Sequence, residues 1–228
     1  MLQPIYNCQQ NVFEIGIDEA GRGPLFGRLY VAAVVLPKID TAKKTSSSCS
    51  KQIDWCDIKD SKKIKSLKKM KHCAEFIQQN ALAYSIQYIE HDRIDEINIR
   101  QAVFEGMHAC IRDIITKLPE NTEMFLLIDG NDFKPFRIFD ESSQKIMTIP
   151  YTTIEGGDNK FLAIAAASIL AKHARDTYIN ELCQQYPELN DKYSIGKNMG
   201  YGTKLHMEGI KKYGITEWHR TSYKPCKI

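Results

Sequence analysis

The first readable element alternates with a period of two. Phe13, Ile15 and Ile17 are separated by Glu14 and Gly16 and followed by Asp18, the pattern of a half-buried strand over about 12–18. Leu29 to Pro37 is almost continuously apolar and predicts a second strand covered on both faces. Ile64, Leu67, Met70, Ala74 and Ile77 recur at helical spacing, predicting a helix to about Asn80 capped by Asp60 or Ser61. Leu82 to Ile89 alternates again. Ile94, Ile97, Val103, Met107, Cys110, Ile111 and Ile114 predict one helix from Asp92 to Lys117, which Pro119 stops. Glu123 to Asp129 reads as a short apolar strand, and Gln144 to Tyr151 as another. Glu155-Gly-Gly-Asp158 is a turn opening a long helix, Lys160 to about Tyr186, whose start is rich in alanine. A short helix is expected near 204–213. Strands alternating with helices indicate an α/β fold, and the first two strands read as a hairpin. The expectation is a mixed sheet with helices on both faces.

The 228 residues fit one domain. Residues 1–186 form its body, and 187–228 form a basic segment packing on it. Residues 38–56, rich in Ser, Lys and Thr, have no hydrophobic period and read as a loop. No run of about 18 apolar residues is present, so no membrane span is expected. The N-terminus lacks a basic and an apolar region, so no secretion signal is expected. Seven scattered cysteines without a C-x-x-C pair argue against a disulfide framework or thiolate zinc site. They favour a reducing compartment, the cytoplasm. Nothing indicates an oligomer, so a monomer is the default.

Net charge changes the picture more than composition does. The total is only +3, yet residues 192–228 carry +6, which leaves −3 for the rest. Residues 59–71 hold a second group of seven lysines. An acidic body with basic patches suits a metal site that works on a polyanion.

Three apolar-to-polar switches end in acids: Asp18-Glu19 after the first strand, Asp129 after 124–128, and Asp158 at the start of the alanine-rich helix. Acids at strand ends and helix starts can converge on one sheet edge. Four carboxylates there repel unless cations stand between them. Such a set suits two divalent ions, Mg2+ or Mn2+, about 3.5–4 Å apart, the arrangement for in-line phosphoryl displacement. Beside the first acids, Gly21-Arg22-Gly23-Pro24 is a tight turn whose arginine and free N–H groups suit a phosphate. Asp176 lies 18 residues beyond Asp158, about 27 Å along a continuous helix, and reads as structural. His206 and His219, in the basic segment, are secondary candidates for phosphate contact. Taken alone, Tyr201 reads as a core aromatic in a glycine turn.

These motifs together resemble the ribonuclease HII family, type 2 ribonuclease H, in its bacterial-type branch. The resemblance is carried by Gly16 to Leu25, Asp60-Ser-Lys62, Leu127 to Asn131, Gly157-Asp158 with Ile164 to Lys172 and Arg175-Asp176. It continues through Gly200-Tyr-Gly-Thr203, His206, Tyr213-Gly214 and His219 to Pro225. It implies a ribonuclease H-like fold with a small helical C-terminal segment. It also implies endonucleolytic cleavage of RNA paired to DNA, including ribonucleotides embedded in duplex DNA, leaving 5′-phosphate and 3′-hydroxyl ends. Asp18, Glu19, Asp129 and Asp158 would hold the two metal ions. Gly21, Arg22 and Gly23 together with Tyr201 would read the ribonucleotide at an RNA–DNA junction, and Ser61 and Lys62 would contact the substrate backbone.

The chain departs from the family pattern at the long 38–56 stretch, at Gly156 (commonly lysine), at Arg28 (commonly proline) and at His173 (usually apolar). None of these positions is one of the four acids, so activity is expected to survive. The alternatives are a type 3 ribonuclease H and a non-catalytic nucleic-acid-binding module that keeps the fold.

Overall fold

A computed structural model of the chain describes residues 2–6, 12–37, 54–58, 61, 64, 66–120, 122–140 and 144–227. A five-stranded mixed sheet runs in the order β3-β2-β1-β4-β7. Strands β1 (Val12–Ala20) and β2 (Leu29–Val35) pair antiparallel, as the hairpin pattern predicts, and β3 (Ala83–Ile89) extends them. Strands β4 (Glu123–Asp129) and β7 (Tyr151–Ile154) join parallel to β1. β5 (Arg137–Asp140) and β6 (Lys145–Thr148) form a separate hairpin.

Both faces of this sheet are covered, which explains why β2 is apolar throughout and buried at every position. On one face Ile15, Ile17, Leu29 and Val31 meet Met107, Cys110, Ile111 and Ile114 of the helix α3 (Ile99–Lys117). On the other, Ala32 and Val34 meet α1 (Leu67–Asn80) and α4 (Leu162–Gln185). The alanines of α4 permit a very close approach. A Cβ on Gly16 would lie 2.2 Å from the Ala163 carbonyl carbon.

Several boundaries differ from expectation. The first helix starts at Leu67 with Ser66 as its cap, accepting the Lys69 N–H, and Ser61 is buried elsewhere. Asp60 and most of the 38–56 loop fall outside the described residues. The helix expected over 92–117 is two, α2 (His91–Ile97) and α3, broken at Asn98. Asn98 has φ 67° and turns its Oδ1 onto the N–H groups of Arg100 and Gln101, capping α3. The segment expected as one strand over 144–151 is split at Pro150 between β6 and β7, which belong to different sheets. Pro187 ends the long helix only to open α5 (Glu188–Tyr193), followed by α6 (Ile195–Asn198) and α7 (Lys204–Tyr213).

The C-terminal segment has its own apolar cluster, in which Leu189, Tyr193, Ile195 and Ile210 pack with Leu25 and Phe26 from the glycine turn. Arg220 is fully buried there. Its guanidinium donates to the carbonyls of Gly27 (2.8 and 2.9 Å), Pro24 (3.0 Å) and Arg22 (3.3 Å). Arg28 pairs with Glu90 and lies between the rings of Tyr88 and Tyr178, 4.2 and 4.5 Å from their centres.

Candidate active site

Parallel pairing places the acids. Ile17 registers with Ile128, so the next residues, Asp18 and Asp129, stand side by side where the parallel pairing of the two strands ends. Asp18 shares with Gly16 the sheet face under α4. It is buried (5% exposed), and its Oδ1 accepts the Glu19 N–H at 2.7 Å. Burial raises the pKa of Asp18 well above the ordinary carboxylate range, and the charges of Glu19 and Asp129 raise it further. The hydroxyl of Ser168 on α4 partly offsets this by hydrogen bonding to Asp18. Ser168 in turn lies 2.9 Å from the Ser61 hydroxyl.

Asp129 Oδ1 accepts the Gly157 N–H at 2.7 Å. Gly157 opens a single 3₁₀ turn, Gly157–Asn159, that carries Asp158. Asp158 is buried (2% exposed) and accepts the Asn159 amide at 3.0 Å. It is not among the residues lining the cleft that Asp18, Glu19 and Asp129 share. Among the described residues no group of three or more His, Cys, Asp or Glu side chains is arranged, as it stands, to hold a metal ion.

Asp18, Glu19 and Asp129 open into a cleft of about 350 Å³, in the range of ligand pockets, shared with Gly21, Arg22, Gly23, Ser61 and Tyr201. Gly21 has φ 101°, and a Cβ there would be 2.4 Å from Arg175 Nε, so only glycine fits. Arg22 exposes its side chain 3.7 Å from Glu19, while its carbonyl accepts from the Tyr223 hydroxyl at 2.6 Å. Tyr201 is 50% exposed beside Gly23, which corrects the core-aromatic reading. Lys62 lies outside the described residues.

Sequence reasoning gave no site role to the four α4 residues of this cleft wall, Ser168, Lys172, Arg175 and Asp176, nor to Ala20, Asn198 and Met199. The helix carries Asp176 away from Asp158 but along the same cleft, where Lys172 donates to it at 2.8 Å. The signal was available, because Ser168, Lys172, Arg175 and Asp176 recur at spacings of three and four on one helix face. Arg175 is buried (3% exposed). It donates to the Met199 carbonyl at 2.8 Å, yet its Nε has no hydrogen-bond partner. Burial, then the charge of Arg220, depresses its pKa to about 10. An under-paired cation on an acid-lined wall suits an anionic ligand beside a cationic one. His206 and His219 are 0% and 1% exposed, which removes them as phosphate contacts. Arg220 is buried likewise, so part of the C-terminal charge does not face solvent.

The family model described as Ribonuclease HII matches residues 15–226. The chain belongs to the ribonuclease HII family. A Ribonuclease HII of Parabacteroides distasonis is 40% identical over 210 residues, covering 92% of this chain and 89% of that one. One of Bacteroides thetaiotaomicron is 40% identical over 223 residues, covering 98% and 94%. Among solved structures, the ribonuclease H2 of Pyrococcus horikoshii superposes with a TM-score of 0.67 at 21% identity, covering 94% of this chain and 95% of that one. Bst-RNase HIII in complex with Mn2+ gives 0.62 at 16% identity, covering 95% and 68%. These likenesses establish the ribonuclease H-like fold. Family membership makes the chain a ribonuclease H, a nuclease, and sets aside the non-catalytic and type 3 alternatives. Among the described residues no helix is long and apolar enough to cross a membrane.

Proposed function

We propose that this ribonuclease HII cuts the RNA strand of RNA/DNA hybrids, including at ribonucleotides embedded in duplex DNA, leaving 5′-phosphate and 3′-hydroxyl ends. The observation that carries the metal reading is the juxtaposition of Asp18 with Glu19 and Asp129: burial first, and then the repulsion of those two charges, raises the pKa of Asp18. Divalent cations relieve that repulsion, and oxygen-only donors fit Mg2+ or Mn2+. Asp18, Glu19, Asp129 and Asp158 would hold two such ions. When bound, the ions supply a lowered pKa for attacking water and charge neutralisation at the phosphate.

The chain's own residues do the rest. Gly21 and Gly23 let the backbone approach a ribose closely, and the exposed Tyr201 ring offers a face to the neighbouring deoxyribose. Arg22 and Arg175 bring positive charge to the cleft. Ser61 and Lys62 contact the substrate backbone, and the basic segment 187–228 extends that surface. A monomer suffices for this site. Cys73, Cys110, Cys183 and Cys226 are buried free thiols, which supports a cytoplasmic setting.

A labelled duplex with one embedded ribonucleotide, incubated with Mg2+ or Mn2+, tests this. Cleavage 5′ of the ribonucleotide, absent in Asp129→Asn, is expected. If that duplex survives while a long hybrid is cut, the roles of Arg22 and Tyr201 fall. If neither is cut, the whole assignment falls.

A further inference from the structure

Two buried imidazoles remain unused by the chemistry above. His206 Nε2 and His219 Nε2 face each other at 3.0 Å. The far ends of the pair decide where its protons sit. The Thr216 N–H donates to His219 Nδ1 at 2.9 Å. An amide only donates, so that nitrogen carries no proton, and a neutral ring must then hold its proton on Nε2. His219 therefore donates to His206 Nε2, and the proton of His206 lies on Nδ1. That nitrogen is 3.0 Å from the Tyr201 carbonyl oxygen, which can only accept. Every donor meets an acceptor. The reverse order would set a bare nitrogen against the Tyr201 carbonyl and two N–H groups against each other at Thr216.

We propose that His206 and His219 are positioning residues, forming a one-way hydrogen-bond relay from Thr216 to the Tyr201 carbonyl that fixes the Tyr201 ring for junction reading. The inference rests on the role proposed above for Tyr201. The backbone around that residue is anchored on both sides. Its N–H donates to the Asn198 carbonyl at 3.0 Å, the Gly200 carbonyl accepts from Leu25 of the glycine turn at 2.9 Å, and the Thr203 N–H shares the Tyr201 carbonyl at 2.7 Å. Side chains add to this: Asn198 Oδ1 accepts the Gly200 N–H at 2.8 Å, Arg175 holds the Met199 carbonyl, and the relay reaches the carbonyl of Tyr201 itself. Phe26 and Tyr193 pack on His219 with ring centres 5.1 and 5.3 Å away. Two apolar rings would fill this space equally well; imidazoles add direction. Burial depresses the pKa of both, that of His219 to about 4, with His206 and His91 adding to the effect, so the neutral pair is the state at neutral pH.

Long-range 1H–15N NMR of the full chain at pH 7 tests the relay directly. His206 is expected as the Nδ1–H tautomer and His219 as the Nε2–H tautomer. Reversed or identical tautomers, or an imidazolium at either site, overturn it. The function is tested with the single-ribonucleotide duplex and a long hybrid. His219→Phe is expected to lose about tenfold in preference for the former, on the scale of a small misplacement of a binding group. His219→Gln, whose amide N–H can reach His206, is expected to recover most of it. If Tyr201→Ala abolishes the preference while His219→Phe keeps it, the relay alone is overturned. If Tyr201→Ala keeps the preference, the junction reading falls and takes the relay's purpose with it.

Discussion

Replacing Gly16 by alanine adds one methyl group at the point where β1 and α4 come closest. The new carbon would stand 2.2 Å from the Ala163 carbonyl carbon and 2.5 Å from both the Ala163 oxygen and the Ile164 nitrogen. Non-bonded carbons rest at about 3.5–4.0 Å, so strand and helix must part by about 1.3 Å. All three obstructing atoms are backbone, so no rotamer change relieves the contact. Gly16 sits mid-strand, paired with Val34 on one side and Leu127 on the other, which holds β1 in place. Overpacking of this kind costs about 3 kcal/mol, and for a chain of this size the melting temperature drops by about 6–12 °C. The functional loss should be larger. Asp18 follows two residues later, Ser168 rides on the displaced helix, and a misplacement of about 1 Å can cost about 100-fold in rate. The assay is thermal unfolding by circular dichroism beside single-turnover cleavage of a labelled hybrid. Ala163→Gly added to Gly16→Ala should rescue neither, because the methyl it removes is not the obstruction. A Gly16→Ala protein that melts within about 2 °C of the parent and cuts at a similar rate would refute the argument.

Three further outcomes are expected. The pKa of His219 falls from 6.5 to about 4 on folding, so its stabilising contribution is complete above about pH 6.5 and is lost as pH falls toward 4. The loss is about 3 kcal/mol, and urea midpoints should fall more steeply over that window for the parent than for His219→Gln; parallel curves would contradict it. Asp95 accepts the N–H and hydroxyl of both Thr221 and Ser222, which ties the C-terminal segment to α2. Asp95→Ala should cost about 1–2 kcal/mol and speed labelling of Cys226, a thiol 1% exposed in the parent, and an unchanged labelling rate would count against this tie. Finally, Mn2+ at about 100 times its Kd should stabilise the parent by about 2.7 kcal/mol but Asp129→Asn far less. Equal melting temperatures with and without the ion would sink the metal reading.

The strands and the long helix were legible because burial on two faces leaves an apolar run in β2 and a small-residue run in α4. What period alone could not show was interruption. Ile94, Ile97 and Val103 keep helical spacing across Asn98, although the backbone turns there, because one side chain supplies the new cap. Ser66 competes with Ser61 as a cap on equal chemical terms, and only the burial of Ser61 against Ser168 separates them. Asp18, Glu19 and Asp129 were readable as acids where apolar strands stop. That Asp176 lines the cleft was not legible from its distance to Asp158, because the cleft runs along the helix. Charge counting misplaced Arg220 and the two histidines, since a cation or an imidazole in sequence carries no mark of whether carbonyls or water surround it.

The burial of Arg220 has a consequence for the order in which the chain is made. The turn at residues 22–27 leaves the ribosome early, yet three of its carbonyls are held by a guanidinium nearly two hundred residues later. Until that arginine arrives, the turn lacks this fastening. The anchoring of this turn is thus complete only once the chain has been made as far as Arg220, so its geometry is set by one of the most non-local contacts of the fold.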